Sequence, residues 1–192
     1  MFRRLPVDGN ILRVVGIDPG SQSLGFSYFE HNIETNDPRL KFARTFHAES
    51  VMKSNPRFDI FGVRGKRLRL CGEFITRQLT ELNPHIVCCE DAYLGRFPAA
   101  FRSLVEGVVC IQNAVYAWNE ETRLWLVDPP TAKIAVGAPG RGGGKDAVRD
   151  ALLKNKDFAF EVEVDLLDEH SVDSVAIGWW GLKRWIEENQ PE

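Results

Sequence analysis

The chain has 192 residues, 44% of them hydrophobic and 27% charged, with a formal net charge of −3. That length and apolar content suit one well-buried domain over residues 1–192 and exclude two large ones. No run of about 18 apolar residues occurs and the opening MFRRLPVDGN lacks an apolar signal core. No membrane association is therefore expected, and the expected location is intracellular and soluble, cytoplasmic in a bacterium or a phage-infected cell.

In chain order, residues 12–18 read as a buried strand. Val14, Val15 and Ile17 lead to Asp18, which stands immediately before Pro19-Gly20. A buried carboxylate is costly unless it is partnered, so Asp18 calls for a cation or a donor. Residues 23–31 and 39–47 alternate and are rich in aromatics, which predicts two more strands. Between Arg57 and Arg77, Arg64, Lys66, Arg67 and Arg69 make a basic cluster against only Asp59 and Glu73. Such a local face can bind phosphate despite the acidic total. Residues 63–82 carry apolar side chains at helical spacing, and Asn83-Pro84 ends that helix. The short run HIVCCE, 85–90, is a central strand that again ends on an acid, Glu90.

A second long helix is predicted over 98–118, followed by a strand over 123–128 that Pro129-Pro130 closes, and a short helix over 131–136. GAPGRGGGK, 137–145, is a loop with five glycines, able to approach a ligand closely. Helices over 145–154 and about 168–188 complete the chain. The expected fold class is α/β, a mixed five-stranded sheet with helices on both faces. The four cysteines, Cys71, Cys88, Cys89 and Cys110, show no metal-ligand spacing and read as buried free thiols.

In open α/β sheets, ligands gather beyond the carboxyl ends of the strands, where Asp18 and Glu90 fall if their strands are parallel neighbours. In DEHSVDSVAIG, His170 and Asp173 are three residues apart and share a helix face beside Val172, Val175 and Ala176. Asp18, Glu90, His170 and Asp173 thus form a candidate catalytic and metal-binding set for one or two divalent ions. Oxygen donors favour Mg²⁺, and one imidazole admits Mn²⁺. Two metals about 3.5–4 Å apart can clamp a phosphodiester, one activating water and the other stabilising the leaving oxygen.

The order GIDPGSQSLGFS, RLRLCGEFITRQLTELNPHIVCCEDAY, PPTAKIAVGAPGRGGGKDAVRDALL and HSVDSVAIG resembles the RuvC family of Holliday junction resolvases, over about residues 12–180. The resemblance implies an RNase H-like fold and a homodimeric, Mg²⁺-dependent endonuclease that cuts two opposed strands of a four-way DNA junction, leaving 5′-phosphate and 3′-hydroxyl ends. Asp18, Glu90 and Asp173 match the family's metal-site acids. His170 stands where many members have aspartate and some histidine. Glu169, four residues before Asp173, is the substitute ligand, and His170 would then manage protons around the attacking water.

The resemblance also implies that Tyr93, three residues after Glu90, wedges against bases at the junction centre, with Phe97 the alternative. It places Lys133 and Lys145 near the scissile phosphate, with Arg141 between them as a weaker candidate. The glycine loop is not a P-loop, since Asp146 stands where a metal-binding hydroxyl is needed. The 98–118 helix is apolar over more than one face, at Phe101, Leu104, Val105, Val108, Val109, Ile111, Val115 and Tyr116. One side would pack on the sheet and the other on the same helix of a second copy. Three other readings remain open at this stage. One is an RNase H-like nuclease acting on flaps, other branched DNA or RNA; one is an actin-like phosphate loop suggested by GIDPGSQSLG; one is a junction binder that does not cut. The residues say nothing of a branch-migration helicase or ligase partner.

Overall fold

The first strand, β1 (Ile11–Asp18), organises the sheet because it is covered on both sides. Leu12 and Val14 point into one apolar core and Val15 and Ile17 into another, all with 0% of their surface exposed. With a side-chain period of two, Gly16 and Asp18 fall on the same face as Leu12 and Val14. The structure, a computed structural model, describes residues 8–54, 62–93, 98–122, 124–144 and 146–189.

β1 pairs antiparallel with β2 (Ser23–Asn32), which pairs antiparallel with β3 (Asp37–His47). A short helix α1 (Ala48–Ser54) and the long α2 (Gly62–Leu82) lead to β4 (Ile86–Glu90), parallel to β1 on its other side. α3 (Pro98–Trp118) then leads to β5 (Leu124–Val127), parallel to β4. α4 (Pro129–Ala135), α5 (Ala147–Lys154), β6 (Ala159–Phe160) and α6 (Glu169–Asn189) close the chain. The strand order is β5-β4-β1-β2-β3-β6.

The expected mixed sheet covered on both faces is present, with six strands where five were expected. The sixth is a two-residue strand that pairs parallel with β3 at the sheet edge, too short for any alternation to register. α1 was likewise not foreseen. Pro129 and Pro130 do not simply stop β5; they form the first turn of α4, where a missing N–H costs nothing, and Asp128 caps that helix by accepting from Thr131 N at 3.0 Å.

α2 and α3 cover one face through Phe74, Ile75, Leu79, Ile111 and Val115; α4, α5 and α6 cover the other through Ala132, Leu152, Val172, Val175 and Leu182. α6 lies unusually close to the sheet. A β-carbon on Gly16 would stand 2.2 Å from the Ser174 carbonyl oxygen, and one on Gly25 2.0 Å from that of His170. Only glycine permits this approach. Ser27 fixes the depth, its buried hydroxyl donating to the Ser174 carbonyl at 2.7 Å. The thiols are free as expected, Cys71, Cys88 and Cys89 buried and Cys110 half-buried. Among the described residues no helix is long and apolar enough to cross a membrane.

Candidate active site

Asp18 ends β1 and Glu90 ends β4. The two strands are parallel neighbours with Ile17 opposite Cys89, so both carboxylates emerge at the same sheet end and, by the period of two, on the α6 face. The glycine seam lets the first turns of α6 descend on that end. His170 Nδ1 donates to Asp18 Oδ2 at 2.7 Å, and Asp18 is 8% exposed. That hydrogen bond, more than the burial opposing it, holds the His170 imidazole above its ordinary pKa.

Glu90 is pushed up to about 8, first by burial and then by the neighbouring charges of Asp18 and Asp173; Lys133 acts in the other direction. Asp173 is pushed up to about 6 by burial and by Asp18, again opposed by Lys133. Burial and like charge both penalise the ionised forms, so the cluster is short of positive charge. Among the described residues, no group of three or more His, Cys, Asp or Glu side chains is placed to hold a metal ion as it stands. The donors that exist are hard carboxylate oxygens in mutual repulsion, the chemistry that suits a hard divalent cation. Asp18, Glu90 and Asp173 are the carboxylates whose chemistry suits one. Glu169 is exposed and lines a polar cleft of about 240 Å³ with Asp146, Arg149, Val172 and Asp173.

Of the expected DNA contacts, Lys133 on α4 is half-buried and directs its charge at Glu90 and Asp173. Tyr93 is 49% exposed on the segment leaving β4, and Arg141 is exposed in the glycine loop. Phe97 and Lys145 lie outside the described residues. The basic cluster of α2 is not an open row of cations. Arg64 Nε pairs with Glu106 of α3 at 2.7 Å, Arg67 pairs with Glu49 of α1, and Lys66 is only 8% exposed.

Three contributors were missed in the sequence. Asp128 adds to the charge that raises Glu90; the pattern Asp-Pro-Pro-Thr is its helix-start signal. Asp168 caps α6, accepting from Ser171 N at 2.8 Å and from Thr45 Oγ1 of β3 at 2.5 Å. Although partial burial acts the other way, the bonds from Thr45 and Ser171 hold Asp168 below the usual carboxylate range. An Asp before an apolar helical stripe is legible as a cap, but its bond to β3 is not. Arg149 is the third, and its partner is a distant backbone carbonyl.

No family model matches the sequence, and no curated protein is detectably similar to it in sequence. Solved structures do share its fold. Thermus thermophilus RuvC superposes with a TM-score of 0.66 at 15% identity, over 92% of this chain and 96% of that one. The yeast mitochondrial Holliday junction resolvase Ydc2 gives 0.60 at 15% identity, over 96% and 83%. The fowlpox virus Holliday junction resolvase gives 0.54 at 15% identity, over 93% and 100%. At these identities the likeness is one of fold: a mixed α/β, RNase H-like architecture, with Asp18, Glu90, His170 and Asp173 gathered at one end of its sheet.

Proposed function

We propose that this chain is a metal-dependent endonuclease that resolves four-way DNA junctions by paired symmetric nicks, leaving 5′-phosphate and 3′-hydroxyl ends. The observation that carries the reading is the meeting of Asp18, Glu90 and Asp173 at the ends of two parallel strands, where burial and mutual repulsion raise Glu90 and Asp173. Its support from outside the chain is that solved structures with this fold are of Holliday junction resolvases, one of them Thermus thermophilus RuvC with its junction substrate at a TM-score of 0.65 and 14% identity.

Asp18, Glu90 and Asp173, joined by His170 or Glu169, would hold Mg²⁺ or Mn²⁺, two ions per subunit. Such ions supply an activated water and stabilise the leaving oxygen of a phosphodiester. His170, bonded to Asp18, orients that carboxylate and holds a proton beside it. Lys133 pairs with the scissile phosphate, and Arg141 and Lys145 steady the flanking backbone. Tyr93 stacks on a junction base. The α2 arginines are not assigned to phosphate, because Arg64 and Arg67 already have carboxylate partners.

A homodimer belongs to the same reading. Val105 (36% exposed), Val109 (48%) and Tyr116 (47%) leave the outer face of α3 apolar. Val105 and Val109 line a groove of about 870 Å³ against Leu68 and Gly72 of α2, rimmed by Arg69, Glu73, Arg77 and Glu106. An apolar floor with both charge signs at its rim is self-complementary and suits a two-fold contact. The reading is tested by cutting a labelled four-way junction with Mg²⁺, Mn²⁺ or EDTA, wild type against Asp18→Asn, beside duplex, flap and RNA/DNA controls. Metal-dependent paired nicks, lost in the variant while junction binding persists, support it. Preferential cutting of flaps or hybrids overturns the junction assignment.

A further inference from the structure

α6 carries two of the four site residues within its first turns, and its start is held from other elements as well as by its own first turn. Besides the local bonds of Val172 N to the Asp168 carbonyl at 3.0 Å and of Leu167 N to the Val164 carbonyl at 3.1 Å, two bonds at residues 167 and 168 come from other elements. From the sheet side, Thr45 Oγ1 donates to the Asp168 carboxylate at 2.5 Å, and Asp168 caps Ser171 N at 2.8 Å. From the opposite side, Arg149 of α5 donates through Nη2 to the Leu167 carbonyl at 2.6 Å. Its Nη1 lies 3.4 Å from Asp146, which directly follows the glycine loop at the head of α5. The Arg149 side chain is 30% exposed, and its Nε is buried with no hydrogen-bond partner among the described residues.

Leaving a guanidinium N–H unsatisfied is unfavourable. A side chain that tolerates it is held by the geometry of its other bonds, and the short charge-assisted bond to Leu167 is the strong one. The exposed pair with Asp146 contributes little to stability but sets the direction of the guanidinium. Arg149 also lines the polar cleft that Glu169 and Asp173 share. It is therefore a strut between two elements. One end is α5, whose first residues continue a loop containing Gly137, Gly142, Gly143 and Gly144, all with positive φ. The other end is the residue before the cap of α6.

We propose that Arg149 is a positioning residue: it sets the start of α6 relative to α5 and the glycine loop, so that phosphate held by that loop helps place His170 and Asp173 against Asp18. This rests on the nuclease reading for its DNA half only. The placement of the metal-binding side chains by Arg149 stands apart from what the chain cuts.

The test uses the full chain with Arg149→Met, which keeps the aliphatic stem and removes every donor, and Arg149→Lys, which keeps one donor for the Leu167 carbonyl. Mn²⁺ binding without DNA is followed by electron paramagnetic resonance of the free ion, and amide exchange is followed at residues 168–173. Arg149→Met should weaken Mn²⁺ binding about tenfold, the scale of loss when a supporting partner of a metal ligand is removed. Exchange should quicken at the start of α6 while β1 and β2 stay protected. Arg149→Lys should recover part of both. On a four-way junction, kcat should fall with KM unchanged. Unchanged Mn²⁺ affinity and exchange in Arg149→Met overturn the proposal. So does a rise in KM alone, which makes Arg149 a DNA contact, or loss of protection throughout the sheet, which makes it a general stabiliser. If wild type cuts no branched DNA, the functional reading fails, while Mn²⁺ binding and exchange still decide the strut.

Discussion

Glu90→Gln should stabilise the metal-free protein at alkaline pH and remove most of its pH dependence. In the folded chain Glu90 is raised from 4.5 to about 8. The folded state therefore binds that proton more tightly than the unfolded one, so the associated stability is complete below about pH 4.5, declines as pH rises, and is gone above about pH 8. At about 1.4 kcal/mol per unit, the rise corresponds to roughly 5 kcal/mol against the charged form. Part of this is repulsion shared with Asp18 and Asp173, and the buried amide of glutamine gives some back, so the variant should gain about 2 kcal/mol at pH 8.5. For a chain of this size that raises Tm by about 4–8 °C. Thermal melts in EDTA at pH 4.5 and 8.5 measure it, and at pH 4.5 the two proteins should nearly coincide. Added Mg²⁺ should stabilise wild type at pH 8.5 and leave the variant almost unmoved. A Tm difference between the two proteins that is the same at both pH values refutes the reasoning, because the penalty would then not be one of charge.

The seam beneath α6 makes Gly16→Ala severe: its methyl meets the Ser174 carbonyl at 2.2 Å, so the helix must lift, at a cost of about 3 kcal/mol that a thermal melt reads as a Tm lower by about 6–12 °C. Lys133→Met removes a positive charge that lowers both Glu90 and Asp173. Both carboxyls then hold their protons to higher pH, and the acid limb of the cleavage profile should move upward, which a pH–rate series checks. Val109→Glu puts a charge on the exposed face of α3 and should convert a dimer to a monomer by light scattering, with coordinated nicks becoming single ones. A variant that stays dimeric removes α3 from the interface.

How far the sequence could be read follows from whether a feature is local. The apolar runs that end in Asp18 and Glu90 are local and legible, whereas the meeting of the two acids depends on β1 and β4 being parallel neighbours. The apolar stripe of α6 is local too, and it carried His170 and Asp173 with it. β6 is not local: two residues become a strand only because Arg39 and Leu40 present a free edge to them. The pairing of the α2 cluster is not local either. Arg69 has Glu73 four residues on in the same helix, but the acids that pair with Arg64 and Arg67 come from α3 and α1. The bond of His170 to Asp18 spans 152 positions and is visible only once the helix lies on the sheet.

The glycines connect the fold to the chemistry. Gly16 and Gly25 contribute nothing to burial, and alanine at either would pack more apolar surface if the helix stood further off. They keep α6 low enough that its first turn reaches the ends of β1 and β4, where three carboxylates then crowd one another. A chain selected for stability alone would separate those acids by lifting the helix. This one holds them together with a seam of glycines, a serine bond to the helix backbone and two clamps at residues 167 and 168. The repulsion is thus maintained by the architecture, and on the proposed function a divalent cation would relieve it. That is why the Mg²⁺ response of the melting curve at alkaline pH bears on the function of the chain as directly as any cleavage assay.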